Sequence, residues 1–183
     1  MSKAIVFLAD GFEECEGLIV VDILRRAGID TVTASVMNRL DILSSHKIKI
    51  SADVLAEDAD YDSADIVILP GGMPGTTYLG ENRTVLERCL SFSKDRKVAA
   101  ICAAPTVLAS LGILDGRKAT CYPSCEKDMN GAILTHDKVT VSGNIITGQA
   151  LGAAIPFALE IVRQLKGDVA LQKVASAICS CAP

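Results

Sequence analysis

The sequence predicts an α/β fold in which a mostly parallel sheet is covered by helices on both faces. Short apolar runs alternate with amphipathic segments along the whole chain, and no repeat, linker or low-complexity tract interrupts them. Three of the runs, "AIVFLA", "DIVILP" and "VAAIC", are continuously apolar, as parallel strands buried on both faces require. With 183 residues the chain is long enough for a substantial core, and a single domain over residues 1–183 is expected.

The elements follow in order. A strand at residues 4–9 leads into a helix at 13–27. In that helix Glu16, Val20, Ile23, Leu24 and Ala27 fall at i, i+4, i+7, i+8 and i+11, the spacing of one apolar face, so Glu16 points inward. Glu14 aligns instead with Leu18, Asp22, Arg25 and Arg26, a face that ends in charge and reaches water. Glu13 and Glu14 read as acids opposing the positive end of the helix dipole. A carboxyl on a buried stripe is costly to ionise, so Glu16 requires a partner or a raised pKa.

A second strand is expected at 30–35, and weak alternation over 48–55 suggests a small hairpin. A strand at 66–69, a helix at 84–93, a strand at 98–101 and a helix at 104–111 come next. A further short β pair is expected in "KVTVSGNIITG", with Ser142, Gly143 and Asn144 supplying the turn. Helices at 150–165 and, after Gly167, at 168–177 end the chain.

Composition excludes several functions. The net charge of −4 with scattered Lys and Arg provides no basic stripe, so neither specific nucleic-acid binding nor attraction to an anionic membrane is expected. No apolar run approaches the roughly 18 residues of a spanning helix, and the first residues lack the pattern of a signal peptide, so a cytoplasmic protein is expected. The seven cysteines are odd in number and form no CxxC pair, which reads as thiols rather than a disulfide framework. Cys121 and Cys125, or Cys179 and Cys181, with only His46 and His136 elsewhere, make no zinc-like ligand set, and neither metal nor cofactor is expected.

Ligands of open parallel sheets collect beyond the carboxyl ends of the strands. Three loops arrive there. "ADGFEECE" follows the first strand. "LPGGMPG" follows the strand at 66–69, where Gly71 and Gly72 free the backbone to approach a ligand or present N–H groups. In "AAICAAPT" an apolar strand stops at Cys102 and a helix begins almost at once, with Pro105 suited to its first turn. The small neighbours Ala100, Ala103 and Ala104 suit a sharp strand-to-helix turn of the kind that holds a nucleophile. A sulfur facing a helix N-terminus has its thiolate stabilised, so a lowered pKa is expected for Cys102. The alternative from this loop alone is a small buried hydrophobe.

In this order and at these separations, "GFEECE", "LPGGMPG" and "AAICAAPT" resemble the ThiJ/PfpI superfamily, specifically the subgroup of the parkinsonism-associated deglycase. The similarity extends through "VDILRRAGI", "YDSADIVILPGG", "CYPSCEKDMNG" and "FALEIV". It implies a flavodoxin-like three-layer sandwich, a homodimer, and a reactive Cys102 with Glu16 against its sulfur. It further implies an anion pocket made by the backbone N–H groups of Gly72 and Ala103, lined by Gly71 and Tyr122. Such donors hold a developing oxyanion. The chain departs from several relatives in reading Cys121-Tyr122-Pro123 where they have Thr-His-Pro, which argues against a Cys-His hydrolase. Tyr122 either supplies a hydroxyl or packs its ring over the pocket. His46 falls near a position where relatives carry a basic residue close to the dimer contact, and His136 reads as a solvated hairpin residue.

The resemblance implies cofactor-free conversion of methylglyoxal or glyoxal to hydroxy acids, or removal of their adducts, with Cys102 as nucleophile and Glu16 as acid/base. The substrates are then small reactive aldehydes or glycated adducts. A second reading is a sensor or redox-regulated chaperone that acts through oxidation of Cys102. An intracellular peptidase or a thiamine-pathway protein fits less well, because the histidine and a phosphate-binding lysine motif are missing. Cys15 reads as a packed thiol in preference to one that approaches the dimer contact, and Cys121 as a neighbour of the pocket able to pair with Cys102 under stress. Cys179 and Cys181 read as an exposed tail.

Overall fold

The computed structural model describes residues 2–180. Its main sheet has seven strands. They are β1 (Lys3–Leu8), β2 (Asp30–Ser35), β5 (Val54–Leu55), β6 (Ile66–Leu69), β7 (Lys97–Ile101), β10 (Val139–Ser142) and β11 (Ile145–Gly148). The order is β10-β11-β7-β6-β1-β2-β5, with all pairings parallel except β10 with β11. Numbered among themselves, β1, β2, β6, β7 and β11 lie in the order 2-1-3-4-5, the flavodoxin-like arrangement.

Strand alternation sorts the core into two layers. Ile5, Phe7 and Ala9 pack in one cluster, and Ala4, Val6 and Leu8 in the other. The first cluster meets α2 (Gly75–Glu81), α3 (Arg83–Asp95) and α4 (Pro105–Ser110) through Leu79, Phe92 and Leu108. The second meets α1 (Glu14–Arg26) and α5 (Ala154–Ala177) through Val20, Leu24, Phe157 and Ile161. The result is the expected sandwich of helices, mostly parallel sheet and helices. Gly167, at φ +81, breaks α5 where the two last helices were expected to meet.

Several elements differ from the sequence expectation. The weak alternation over 48–55 does not fold on itself. Its first half, β4 (Lys49–Ser51), pairs antiparallel with β3 (Asp41–Leu43), and its second half is β5, parallel to β2. Asp53 causes the split: its carboxylate accepts from the Thr33 N–H and hydroxyl at 2.8 Å each and from Arg25 at 2.8 Å, pinning the chain to β2. The pair in "KVTVSGNIITG" forms with its expected turn, but β11 joins β7 and so belongs to the main sheet. The helix expected from residue 150 begins at Ala154, after a single 3-10 turn at Leu151–Ala153.

Two features lay outside the sequence reading. One is α2, whose "GTTYLGE" is poor in helix formers and is held by burial of Leu79 and by Thr76 N–H to Gly72 O at 2.8 Å. The other is a two-residue parallel pairing of β8 (Lys118–Ala119) with β9 (Ile133–Leu134), too short to show a period. No helix among the described residues is long and apolar enough to cross a membrane.

Candidate active site

The carboxyl ends of β1, β6 and β7 are adjacent in the sheet, and the crossover between the first two is the switch point where such folds bind ligands. There the three loops meet. Cys102 directly follows β7 at φ +65, a left-handed conformation unusual for a side chain larger than glycine. The turn is held by Cys102 N–H to Gly148 O at 2.9 Å and by Tyr122 N–H to Cys102 O at 2.8 Å. Cys102 is partly exposed, and its sulfur touches the backbone N–H groups of Gly72 and Ala103.

Glu16 lies in the first turn of α1 and is 1% exposed. Its carboxyl contacts the Cys102 thiol and accepts from Gly71 N–H at 3.0 Å and from the N–H of Leu151. The inward phase read from the stripe is therefore correct, and the object it faces is the sulfur. Gly71 makes the approach feasible: a Cβ there would stand 2.6 Å from both the Cys102 Cβ and a Glu16 oxygen. Gly72, at φ +91, has no room either, since a Cβ would lie 2.3 Å from Glu13 N.

Burial pushes the Glu16 carboxyl up to about 7 against the pull of its hydrogen bonds to Cys102 and the Gly71 and Leu151 backbone. Burial, and then the adjacent Glu16 carboxylate, push the Cys102 thiol up to about 12, while the Ala103 and Gly72 N–H groups pull the other way. The expected lowering by a helix end is thus not found: α4 has only six residues, and burial and the carboxylate push the thiol the other way. That repulsion belongs to ionised Glu16, and a protonated Glu16 is instead a donor to sulfur. Two negative charges in contact being prohibitive, the pair holds two protons below about pH 7 and shares one above it.

The other acids of α1 behave differently from each other. Glu13 is the N-cap and accepts from Glu16 N–H at 2.7 Å, consistent with a role at the helix start. Glu14 is largely covered instead of reaching freely into water. It is 7% exposed, with Ser45 Oγ at 3.1 Å and His46 Nδ1 at 2.7 Å, because the β3–β4 hairpin folds over that face. Burial would raise its pKa, but hydrogen bonds from its own backbone, Ser44, Ser45 and His46 bring it down to about 2. Glu13, Glu14 and His46 are also the one group among the described residues whose ligand-type atoms lie within 4.8 Å of one another.

Other expected features divide. Tyr122 is 45% exposed, and its backbone N–H donates to Cys102 O. His136 is exposed, beside Glu126 at 3.0 Å, and His46 joins α1 through Glu14. Cys15 is exposed rather than packed, because the neighbouring helix face is left open. Cys121 is buried and its thiol donates to Tyr122 O at 3.3 Å; all six described cysteines are free. Cys179 is exposed, and Cys181 lies outside the described residues. The contacts from Gly148 and Leu151 were absent from the sequence reading. Gly148 ends the fifth parallel strand and Leu151 opens the 3-10 turn after it, where the strand-end rule points.

Residues 2–164 match the DJ-1/PfpI family. The chain belongs to that family. It is 40% identical to protein dj-1beta of Drosophila melanogaster, over 97% of each chain. It is 30% identical to a deglycase of Pyrococcus abyssi, over 90% of this chain and 99% of that one. Among solved structures, oxidized DJ-1 of Toxoplasma gondii superposes with a TM-score of 0.94 at 30% identity, covering 98% of this chain and 99% of that one. The DJ-1 fold thus accounts for the sheet order, and family membership for the loops that meet at Cys102.

Proposed function

We propose that the protein is a cofactor-independent glyoxalase or deglycase in which Cys102 is the nucleophile and Glu16 the acid/base. The observation that carries this reading is a buried carboxyl titrating near neutrality in contact with a thiol, itself set against two backbone N–H groups. The sulfur adds to the aldehyde carbon of a 2-oxoaldehyde as Glu16 takes the thiol proton, giving a hemithioacetal whose oxygen is held by the Gly72 and Ala103 N–H groups. Glu16 returns that proton to the hemithioacetal oxygen. As a carboxylate it then takes the proton of the former aldehyde carbon and delivers it to the neighbouring carbon through an enediolate, while the hydroxyl proton passes to the former ketone oxygen, yielding a 2-hydroxyacyl thioester. Water hydrolyses the thioester to lactate or glycolate and returns the thiol. No external oxidant or reductant is needed, since one carbon is oxidised as its neighbour is reduced. The relationship to a protein named a deglycase supports carbonyl or glycated substrates.

The test is lactate formation from methylglyoxal. Cys102→Ser is expected to lose at least about 10³-fold and Glu16→Gln about 10²- to 10³-fold. A serine variant of full activity would refute the reading.

Partial exposure of Cys102, beside a carboxyl able to donate to oxidised sulfur, favours a second role as a redox sensor. Peroxide oxidation confined to Cys102 supports it, and oxidation spread over all cysteines opposes it. We further infer a cytoplasmic homodimer. An apolar groove of about 430 Å³ beside α1, exposing Leu18, Ile48 and Ile155, offers a surface for a second copy.

A further inference from the structure

We propose that Glu13 is a positioning residue for the reaction, and that its charge as well as its hydrogen bond governs proton release by Glu16. In the mechanism above, on which this inference rests, Glu16 acts as the base. Three hydrogen bonds close a ring through the site. Glu13 N–H donates to Gly71 O at 2.9 Å, Gly71 N–H donates to the Glu16 carboxyl at 3.0 Å, and Glu16 N–H donates to the Glu13 carboxylate at 2.7 Å. Glu16 is thereby held at both ends, by its backbone and by its carboxyl. Only the last of these bonds is made by the Glu13 side chain, so it is the one that a substitution there changes. The ring also reaches the anion pocket. A Cβ on Gly72, whose N–H meets the sulfur, would lie 2.3 Å from Glu13 N.

Capping alone does not require a glutamate. Ser, Thr, Asp and Asn bond the N–H groups of a first turn through shorter side chains and are preferred there. A neutral cap would also place no like charge beside the buried Glu16. Burial is the largest cause of the raised Glu16 carboxyl, and the charge of Glu13 pushes it the same way. Glu13 is half-buried, which limits the screening of that charge by water. Cys102 and Glu13 are the titratable groups with the largest effect on Glu16, whereas the Gly71 turn and the 3-10 turn at Leu151 contribute backbone N–H groups. Glu13 in turn faces Glu14 on α1 and His46 from the β3–β4 hairpin, their ligand-type atoms within 4.8 Å of one another, and its charge also acts on Cys15. The charge of Glu13 therefore delays release of the Glu16 proton and keeps a donor beside the sulfur up to a higher pH.

The test compares Glu13→Asp, Glu13→Ser and Glu13→Gln in the full chain. Asp and Ser are both good caps, but only Asp keeps the charge. Titration of the Glu16 carboxyl is followed by carbon NMR, with the signal assigned through Glu16→Gln, and the pH dependence of kcat/KM for methylglyoxal is measured alongside. Both midpoints are expected to fall by about half a pH unit in Glu13→Ser and Glu13→Gln, and to stay near the wild-type value in Glu13→Asp. The ratio of kcat/KM at pH 6 to that at pH 8 is then expected to rise about 2- to 3-fold in the two neutral variants. A role in capping alone predicts instead that Ser matches Asp, and equal carboxyl midpoints in those two variants overturn the proposal. If the carboxyl midpoint moves as expected but neither wild type nor variants consume methylglyoxal, the proposed reaction fails and the control of Glu16 by Glu13 stands.

Discussion

Glu14 and Glu16 are two residues apart on α1, both nearly inaccessible, yet their carboxyls are driven in opposite directions, to about 2 and about 7. Burial raises both. The difference lies in what surrounds the oxygens. Glu14 is met by the hydroxyls of Ser44 and Ser45 and by His46, all from the β3–β4 hairpin, and these outweigh its desolvation. Glu16 is met by two backbone N–H groups and a thiol, in a pocket that also feels the charge of Glu13. One carboxylate is therefore a structural anion that fastens a hairpin to a helix. The other is held where a proton comes and goes at neutral pH, as acid/base chemistry needs. Sequence position alone did not separate the two, but the side of the helix did.

The comparison can be attacked through stability first. A raised folded pKa means that the Glu16 contribution to stability is complete below about 4.5 and is lost as pH rises through 7. Replacing Glu16 by Gln is accordingly expected to stabilise the protein by roughly 3 kcal/mol at pH 8, with little gain at pH 4. Urea unfolding midpoints at the two pH values measure this, and a pH-independent effect would contradict the assignment. A Gly71→Ala change is expected to cost about 2 kcal/mol, because its methyl group would be forced against Cys102 and Glu16 together. Thermal unfolding reads the loss, and methylglyoxal turnover should fall with it. Glu14→Gln is expected to cost about 1.5 kcal/mol at pH 7 through lost charge-assisted hydrogen bonds. Its sign with pH is opposite: the Glu14 contribution is present above about 4.5 and disappears as pH falls towards 2, so variant and wild type converge there.

Much of this was legible in the sequence because the informative signals are local. Continuous apolar runs marked β1, β6 and β7, and helical phase picked out Glu16 without reference to any other residue. The sharp turn at Cys102 was announced by its small neighbours and by Pro105. What escaped was set by contacts distant in sequence. The fate of Glu14 depends on Ser45 and His46, which lie 31 and 32 residues away. Asp53 splits an apparent hairpin by bonding to Thr33, 20 residues back. The high Cys102 pKa follows from burial and then from the charge of Glu16, neither of which the turn sequence can reveal. Propensity misled only at α2, where tertiary burial of Leu79 overrides a sequence rich in Gly and Thr.

The claim on which the account depends is that Glu16 and Cys102 act as one titrating unit. The most direct measurement is the pH dependence of kcat/KM for methylglyoxal, which reports on the free enzyme. In wild-type protein it is expected to rise through about pH 7 as the pair releases its first proton, and then to level off. In Glu16→Gln the rise near 7 is expected to vanish along with most of the rate. An unchanged rise in that variant would assign the titration to another group and contradict the account.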